Sequence, residues 1–151
     1  MGLDNTPRVR TVVFRGWSNS YEMKILTDKR SQKIHELESN NKVEVCWLFP
    51  KSKCQFRFRG TSTIDSSNET FSHWEQLDDE AKSMWCWPNP GEQFVQANKN
   101  KYFGKSQTIS DNFTLLKIEI IKVDQLILLK PIHIRKRWIK RNNWIEERIN
   151  P

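Results

Sequence analysis

The residues best suited to chemistry gather early in the chain. Ser31 stands where a helix should begin, with Arg30 before it and Lys33 after it. A helix start presents unpaired N–H groups and the positive end of the dipole, so cations beside it suit a phosphate. The same residues equally describe a plain helix cap among solvated charges. Upstream, Arg10 and Arg15 frame an apolar stretch, either as a ligand-facing pair or as surface charge at strand ends. Asp78, Asp79 and Glu80 have the look of acid–base residues, yet acids at a helix start are favoured by the dipole alone. No histidine or carboxylate stands in a motif that demands proton transfer, so none is nominated. His35, His73 and His133 have no ligand spacing with each other or with Cys46, Cys54 and Cys86. A metal is therefore not expected. The cysteines are too few and too scattered for a disulfide framework, and read as buried free thiols of a reducing cytoplasm.

The elements that must position these residues are mostly strands. Arg10–Gly16 is rich in Val and Phe, which pack well on a pleated surface, and reads as the first strand. Asp4-Asn5-Thr6-Pro7 reads as a turn leading into it. A second strand spans Glu22–Thr27, and a short helix follows Ser31 with Ile34 and Leu37 on one face. Val43, Val45, Trp47 and Phe49 alternate up to Pro50. Cys54, Phe56 and Phe58 alternate again, opposite Gln55, Arg57 and Arg59, and Thr61–Asp65 prolongs that strand.

Ser66-Ser67-Asn68 supplies a cap, and Glu69–Gln76 reads as a helix with Phe71, Trp74 and Leu77 at spacings of three. A second helix opens at Asp78 and closes at Pro88-Asn89-Pro90-Gly91. The tryptophans at 74, 85 and 87 read as core rather than as a ligand-stacking wall. Residues 92–112 show no period; a loop of that length suits a lid, with Tyr102 and Phe103 as its apolar contacts. Phe113–Val123 reads as a long strand, Asp124-Gln125 as a turn, and Leu126–Leu129 as another strand. Ile132, Ile134 and Trp138 alternate with His133, Arg135, Arg137 and Arg141. Asn142-Asn143 makes a hairpin onto Trp144–Ile149.

The chain of 151 residues suits one domain, over 1–151, with a single core. No apolar run approaches the ~20 residues of a membrane span, and the first residues lack the apolar region of a signal peptide. A net charge of +7 calls for an anionic partner or reflects a basic surface. Arg135–Arg141, where Arg and Lys interleave with Trp138, sharpens that choice. It reads as a solvated strand face, a phosphate contact or a nucleic-acid groove, whose binding would fall steeply with salt.

RTVVFRG, TDKRSQK, EVCWLFP and QFRFRG, in this order and spacing, resemble the pyridoxamine 5'-phosphate oxidase-like family of FMN-binding split barrels. WCWPNPG and RWIKRNNWIEERINP resemble two further motifs of that family. The likeness implies a mainly β split barrel of about six to eight strands with small flanking helices. It implies FMN bound between the two subunits of a homodimer. By resemblance, Arg10, Thr11, Val12, Val13 and Arg15 lie along the flavin. Thr27, Ser31 and Lys33 hold its phosphate, Gln55 meets the ring, and Arg137 reaches the partner's FMN. The reaction implied is hydride transfer through flavin N5.

The departures bear on substrate more than on flavin. Gln32 stands where those enzymes carry Arg, leaving Arg30 as the stand-in cation. His133 and Arg135 replace the family's substrate-gripping Arg-x-His, and the Trp upstream gives way to Ile127. The helix and first strand that members carry before the RTVVFRG strand are missing from the likeness, so the chain is expected to be shortened at its N-terminus. The resulting sequence-based expectation is a cytoplasmic FMN-dependent oxidoreductase, with an FMN module without turnover or a basic nucleic-acid-binding barrel as alternatives; nucleic acid is not the expected partner.

Overall fold

The computed structural model describes residues 1–94 and 108–151. Among these residues seven strands form one sheet: β1 Phe14–Trp17, β2 Met23–Asp28, β3 Lys42–Phe49, β4 Cys54–Asp65, β5 Phe113–Ile127, β6 Ile134–Ile139 and β7 Glu147–Ile149. Their order is β1-β2-β5-β4-β3, with β6 on β5 and β7 on β6. Among the described residues the helices are α1 Gln32–Ser39, α2 Asn68–Glu75 and α3 Asp79–Ser83, with short 3-10 turns at Met84–Cys86 and Lys140–Asn142. The mainly β expectation holds. Residues Tyr102 and Phe103 of the expected lid lie outside the described residues. Packing divides the chain into two compact units: Met1–Gly16, Lys24–Asn41 and Thr63–Lys117 make one; Trp17–Met23, Lys42–Ser62 and Ile118–Pro151 make the other.

In the first unit the core is aromatic. Trp74, Trp85 and Phe113 meet edge to face, with ring centroids 5.9 Å apart for Trp74–Trp85, 5.1 Å for Trp74–Phe113 and 4.8 Å for Trp85–Phe113. Each such pair adds ~0.5–1.5 kcal/mol beyond its buried area. Leu26, Leu77 and Ile109 pack around them. Helical spacing was right for Leu77 and wrong for Phe71, which is 51% exposed, and of the tryptophans read as core Trp87 lies at the surface. An eight-residue helix buries a narrow stripe, and on α2 that stripe runs through Thr70 and Trp74. The expected caps are present, since Ser67 Oγ accepts from Glu69 N–H and Asp78 from Ala81 N–H. Ordered strand does not begin at Arg10. Residues 6–13 form neither strand nor helix, and Val9 and Val13 are exposed. Strand propensity is realised only against a neighbour and a buried face, and β1 sits at the edge of the strand order with β2 alone beside it. The turn at Asp4–Pro7 is real: Asp4 Oδ1 accepts from the Thr6 amide (3.1 Å) and hydroxyl (2.7 Å).

In the second unit β3 and β4 pair antiparallel from Lys42↔Thr61 to Phe49↔Cys54. That register sets Cys46 opposite Arg57 and Cys54 opposite Phe49, so the two thiols do not face each other. Of the three free cysteines, Cys54 is buried whereas Cys46 and Cys86 are exposed, against the expectation of buried thiols. The expected turn at Asp124-Gln125 is also absent; β5 runs through it and pairs with β6 from Lys122↔Ile139 to Ile127↔Ile134. Asp124 is tolerated within the strand because Lys122 (2.8 Å) and Arg135 (3.4 Å) neutralise it. Burial pushes its carboxyl up, but those two cations win and its pKa lies below the ordinary value. The hairpin near Asn142 is present, with Asn143 in the left-handed region (φ 52°), although β7 is shorter than the predicted strand.

Candidate functional site

The start of α1 carries the chemistry. Thr27, at the inward end of β2, and Ser31, just before α1, are both buried. Ser31 Oγ turns back and donates to the Asp28 carbonyl (2.7 Å), so it makes no side-chain cap bond to α1. The helix start keeps its N–H groups free of that competitor, which is the arrangement an anion uses.

Lys33 closes over this point. Its Nζ donates to Thr27 Oγ1 and, at 3.2 Å, to Ser31 Oγ. Among the described residues it has these hydroxyl partners and no carboxylate within ion-pair distance. Burial lowers its pKa, the nearby positive charge of Arg10 lowers it further, and Asp28 opposes both. A half-buried ammonium with a guanidinium beside it is electrostatically short of negative charge. Lys33 thus meets Thr27 and Ser31, the three residues that the resemblance sets around a phosphate, and the charge of Arg10, which the resemblance sets along the flavin, acts on Lys33 as well.

Arg30 is placed differently. Its side chain is spent on Asp28 (Nε 3.1 Å, NH2 2.7 Å), on the Trp87 carbonyl (2.9 Å) and on the Trp85 carbonyl (3.4 Å). It clasps the turn after α3, and Asp28 raises its pKa. Thr11 lies exposed in the run toward β1 and Arg15 lies exposed within β1, Val13 is 58% exposed, and Val12 is half-buried. In the second unit, Gln55 Nε2 donates to Cys46 Sγ at 3.1 Å. Arg137 makes a forked contact with Glu147 Oε2 (3.0 and 2.5 Å), which holds that carboxyl below its usual range.

Arg137 also lines a cavity of about 630 Å³ with Arg59, Lys122, Lys140 and Arg141 over Ile121 and Ile139. Its cations are largely matched: Arg59 by Glu44, Lys122 by Asp124, Arg137 by Glu147 and Lys140 by Glu119. Lys136 pairs with Glu146 as well. The basic strand is therefore largely ion-paired rather than merely solvated, which weakens it as a track for a nucleic-acid backbone.

Glu36 was not singled out from sequence. It is 3% exposed, accepts from Arg10 through Oε2, and has Arg8 Nε 3.6 Å from Oε1. The available signal was its place three residues after Lys33, on the same helical face.

The chain is 34% identical over 139 residues to pyridoxine/pyridoxamine 5'-phosphate oxidase 2 of Arabidopsis thaliana, a match covering 85% of this chain and 70% of that protein. The chain belongs to the pyridoxamine 5'-phosphate oxidase family. Residues 2–66 match the family model described as "Pyridoxamine 5'-phosphate oxidase, FMN-binding domain". That span includes every phosphate-site residue named above and Gln55, but not Arg137. A pyridoxamine 5'-phosphate oxidase-related, FMN-binding protein of Nostoc punctiforme superposes with a TM-score of 0.88 at 28% identity, over 99% of this chain and 84% of that one. PhzG of Burkholderia lata, solved with tetrahydrophenazine-1-carboxylic acid, has the same fold at 15% identity, with a TM-score of 0.89 over 100% of this chain and 79% of its own. The fold is that of the FMN-binding split barrels of this family. No described helix is long and apolar enough to cross a membrane.

Proposed function

We propose that this family member binds FMN non-covalently and acts as an oxidoreductase related to pyridoxamine 5'-phosphate oxidase. The observation that carries the reading is Lys33: a half-buried ammonium without a carboxylate, beside an uncapped helix start and two buried hydroxyls. These residues fit a phosphate monoester, whose oxygens accept from the ammonium, from the hydroxyls of Thr27 and Ser31 and from the first amides of α1. Arg10 adds a second cation. Arg30 contributes by charge, its donors being occupied. The resemblance assigns Thr11, Val12, Val13 and Arg15 to the flavin's flank, Gln55 to its ring, and Arg137 to the flavin of a second copy. Bound FMN supplies hydride transfer through its N5; the chain's own residues supply position and electrostatics.

A homodimer is part of the proposal. An aromatic row on β3 and β4 supports it: Trp47 stacks on Phe49 (5.2 Å), Phe49 meets Phe56 (5.8 Å), and Phe56 stacks on Phe58 (5.8 Å). Phe49 remains 39% exposed in this row. Exposed apolar clusters of this kind mark protein contacts. The compartment proposed is the cytoplasm.

The substrate end favours a second reading, an FMN module without turnover. Arg135 is tied to Asp124 (3.4 Å), and His133 is exposed. Two experiments decide. Titration of purified protein with FMN should show saturable binding and a yellow complex; a colourless protein with no heat of binding overturns both readings. Anaerobic bleaching of that complex by a reduced donor or an amine supports the oxidoreductase; a flavin that no substrate reduces supports the module.

A further inference from the structure

Glu36 sits one turn beyond Lys33 on α1, nearly sealed from solvent. A carboxylate there opposes an incoming phosphate, and its Oε1 is buried without a hydrogen-bond donor. Both features are unfavourable taken alone. What the carboxylate does hold is the chain before β1. Its Oε2 takes a hydrogen bond from Arg10, and Oε1 lies 3.6 Å from Arg8 Nε. Both arginines come from residues 6–13, which have no helix or strand of their own. Arg8 is further braced by Asp4 at 2.7 Å. Arg10 is close enough to Lys33 to repel its charge, so two like charges are kept near each other by the carboxylate.

We propose that Glu36 is the positioning residue of the phosphate site: it docks the segment before β1 onto α1 and fixes the Arg10 guanidinium beside Lys33. This rests on the FMN reading and adds to it a residue that acts through Arg10 without touching the ligand. A guanidinium has five donors in a rigid fork. One directed at Glu36 leaves others for a phosphate, and the fork arrives already oriented, which removes an ordering cost from binding. A carboxylate that merely competed with phosphate for Arg10 would act in the opposite direction.

The test uses the full chain with Glu36→Ala, Glu36→Gln, Arg10→Ala and the double variant Glu36→Ala/Arg10→Ala. FMN and riboflavin, which lacks the phosphate, are titrated into each. Glu36→Ala should weaken FMN binding about tenfold or more and leave riboflavin within about twofold. In the Arg10→Ala background the same change should have little further effect, as coupled residues require. Glu36→Gln, which keeps shape and an acceptor for Arg10, should recover most of the loss and guards against a folding defect in the alanine variant. Without ligand, trypsin should cut after Arg10 faster in Glu36→Ala than in the parent protein. Tighter or unchanged FMN binding in Glu36→Ala, equal loss of riboflavin, or additive effects of the two substitutions would overturn the proposal. A parent protein that binds no FMN overturns the functional reading instead, and the trypsin comparison then decides the docking role by itself.

Discussion

Lys33 Nζ lies 3.2 Å from Ser31 Oγ, and that hydroxyl donates onward to the Asp28 carbonyl. The serine that should cap α1 is thereby turned away from the helix, and a lysine takes its place above the helix start. The contact converts an ordinary cap sequence into a cationic recess.

Removing that ammonium should weaken the hold on a phosphate. Lys33→Ala is expected to cost ~1.5–3 kcal/mol of FMN binding, the worth of a charged hydrogen bond. That corresponds to roughly a 10- to 100-fold rise in Kd. Riboflavin should bind as before. Isothermal titration with both ligands measures this, and an unchanged FMN constant removes Lys33 from the site.

The same residue predicts a pH dependence. Burial and Arg10 hold the Lys33 pKa below its ordinary 10.5. A bound phosphate favours the charged form and raises that pKa. Binding therefore takes up a proton once pH exceeds the unliganded value, and FMN affinity falls as pH climbs from there to the raised value of the complex. The slope for one proton is at most about tenfold per pH unit. Fluorescence titrations across the alkaline range should show the decline in the parent protein and a flatter profile in Lys33→Ala. Identical profiles would contradict the assignment.

A second acid-sensitive cluster concerns stability. Lys117 reaches Glu69 Oε2 at 2.5 Å and Asp65 Oδ2 at 3.5 Å, and Lys24 reaches Glu69 Oε1 at 3.2 Å. The hydrogen bond from Lys117 leads in holding Glu69 below its usual value. Asp65 is pushed up by burial, yet Ser67 and Lys117 bring it below as well. Depressed carboxyl pKa values stabilise the fold above the unfolded values of 3.8 and 4.5, and that contribution is lost as pH falls through the folded values. Lys117→Met should accordingly lower the denaturation midpoint at neutral pH and converge on the parent protein in strong acid. A difference that stays constant down to low pH would show that packing, not charge, was lost.

Gly60 tests the sheet. A Cβ built there would lie 2.3 Å from the Glu119 carbonyl oxygen and 2.8 Å from Ile118 Cγ2. The nearest atom is backbone, so β4 and β5 would have to part. Gly60→Ala should destabilise the protein by ~1–3 kcal/mol, as overpacking does. Urea denaturation measures it, and a variant as stable as its parent would show that the strands separate at no cost.

The alternating strands were legible without coordinates. Val43, Val45, Trp47 and Phe49, then Cys54, Phe56 and Phe58, declare their period locally, because successive side chains on a strand must point to opposite faces. The caps Ser67 and Asp78 were equally local. The family and its cofactor were legible through the ordered motifs, from RTVVFRG to QFRFRG, more than through any single residue. Asp124 was not: it looks like a turn residue and becomes strand because Lys122 and Arg135 come to it, one of them from the next strand. Phe71 has core spacing but is 51% exposed among the described residues, while Trp74 on the same helix is sealed by Trp85 and Phe113.

Sequence alone therefore determined the alternating strands β3 and β4, the helix caps and the residue types gathered at the start of α1, since propensity, period and capping act over a few neighbours. Tertiary structure decided which charges remain available to that anion. Arg30 is taken by Asp28 and the carbonyls of Trp85 and Trp87, Arg10 is held by Glu36 through one donor of its fork, and Lys33 is left with hydroxyls. Whether a cation is neutralised depends on carboxylates and carbonyls that approach through space, and no local pattern encodes that approach.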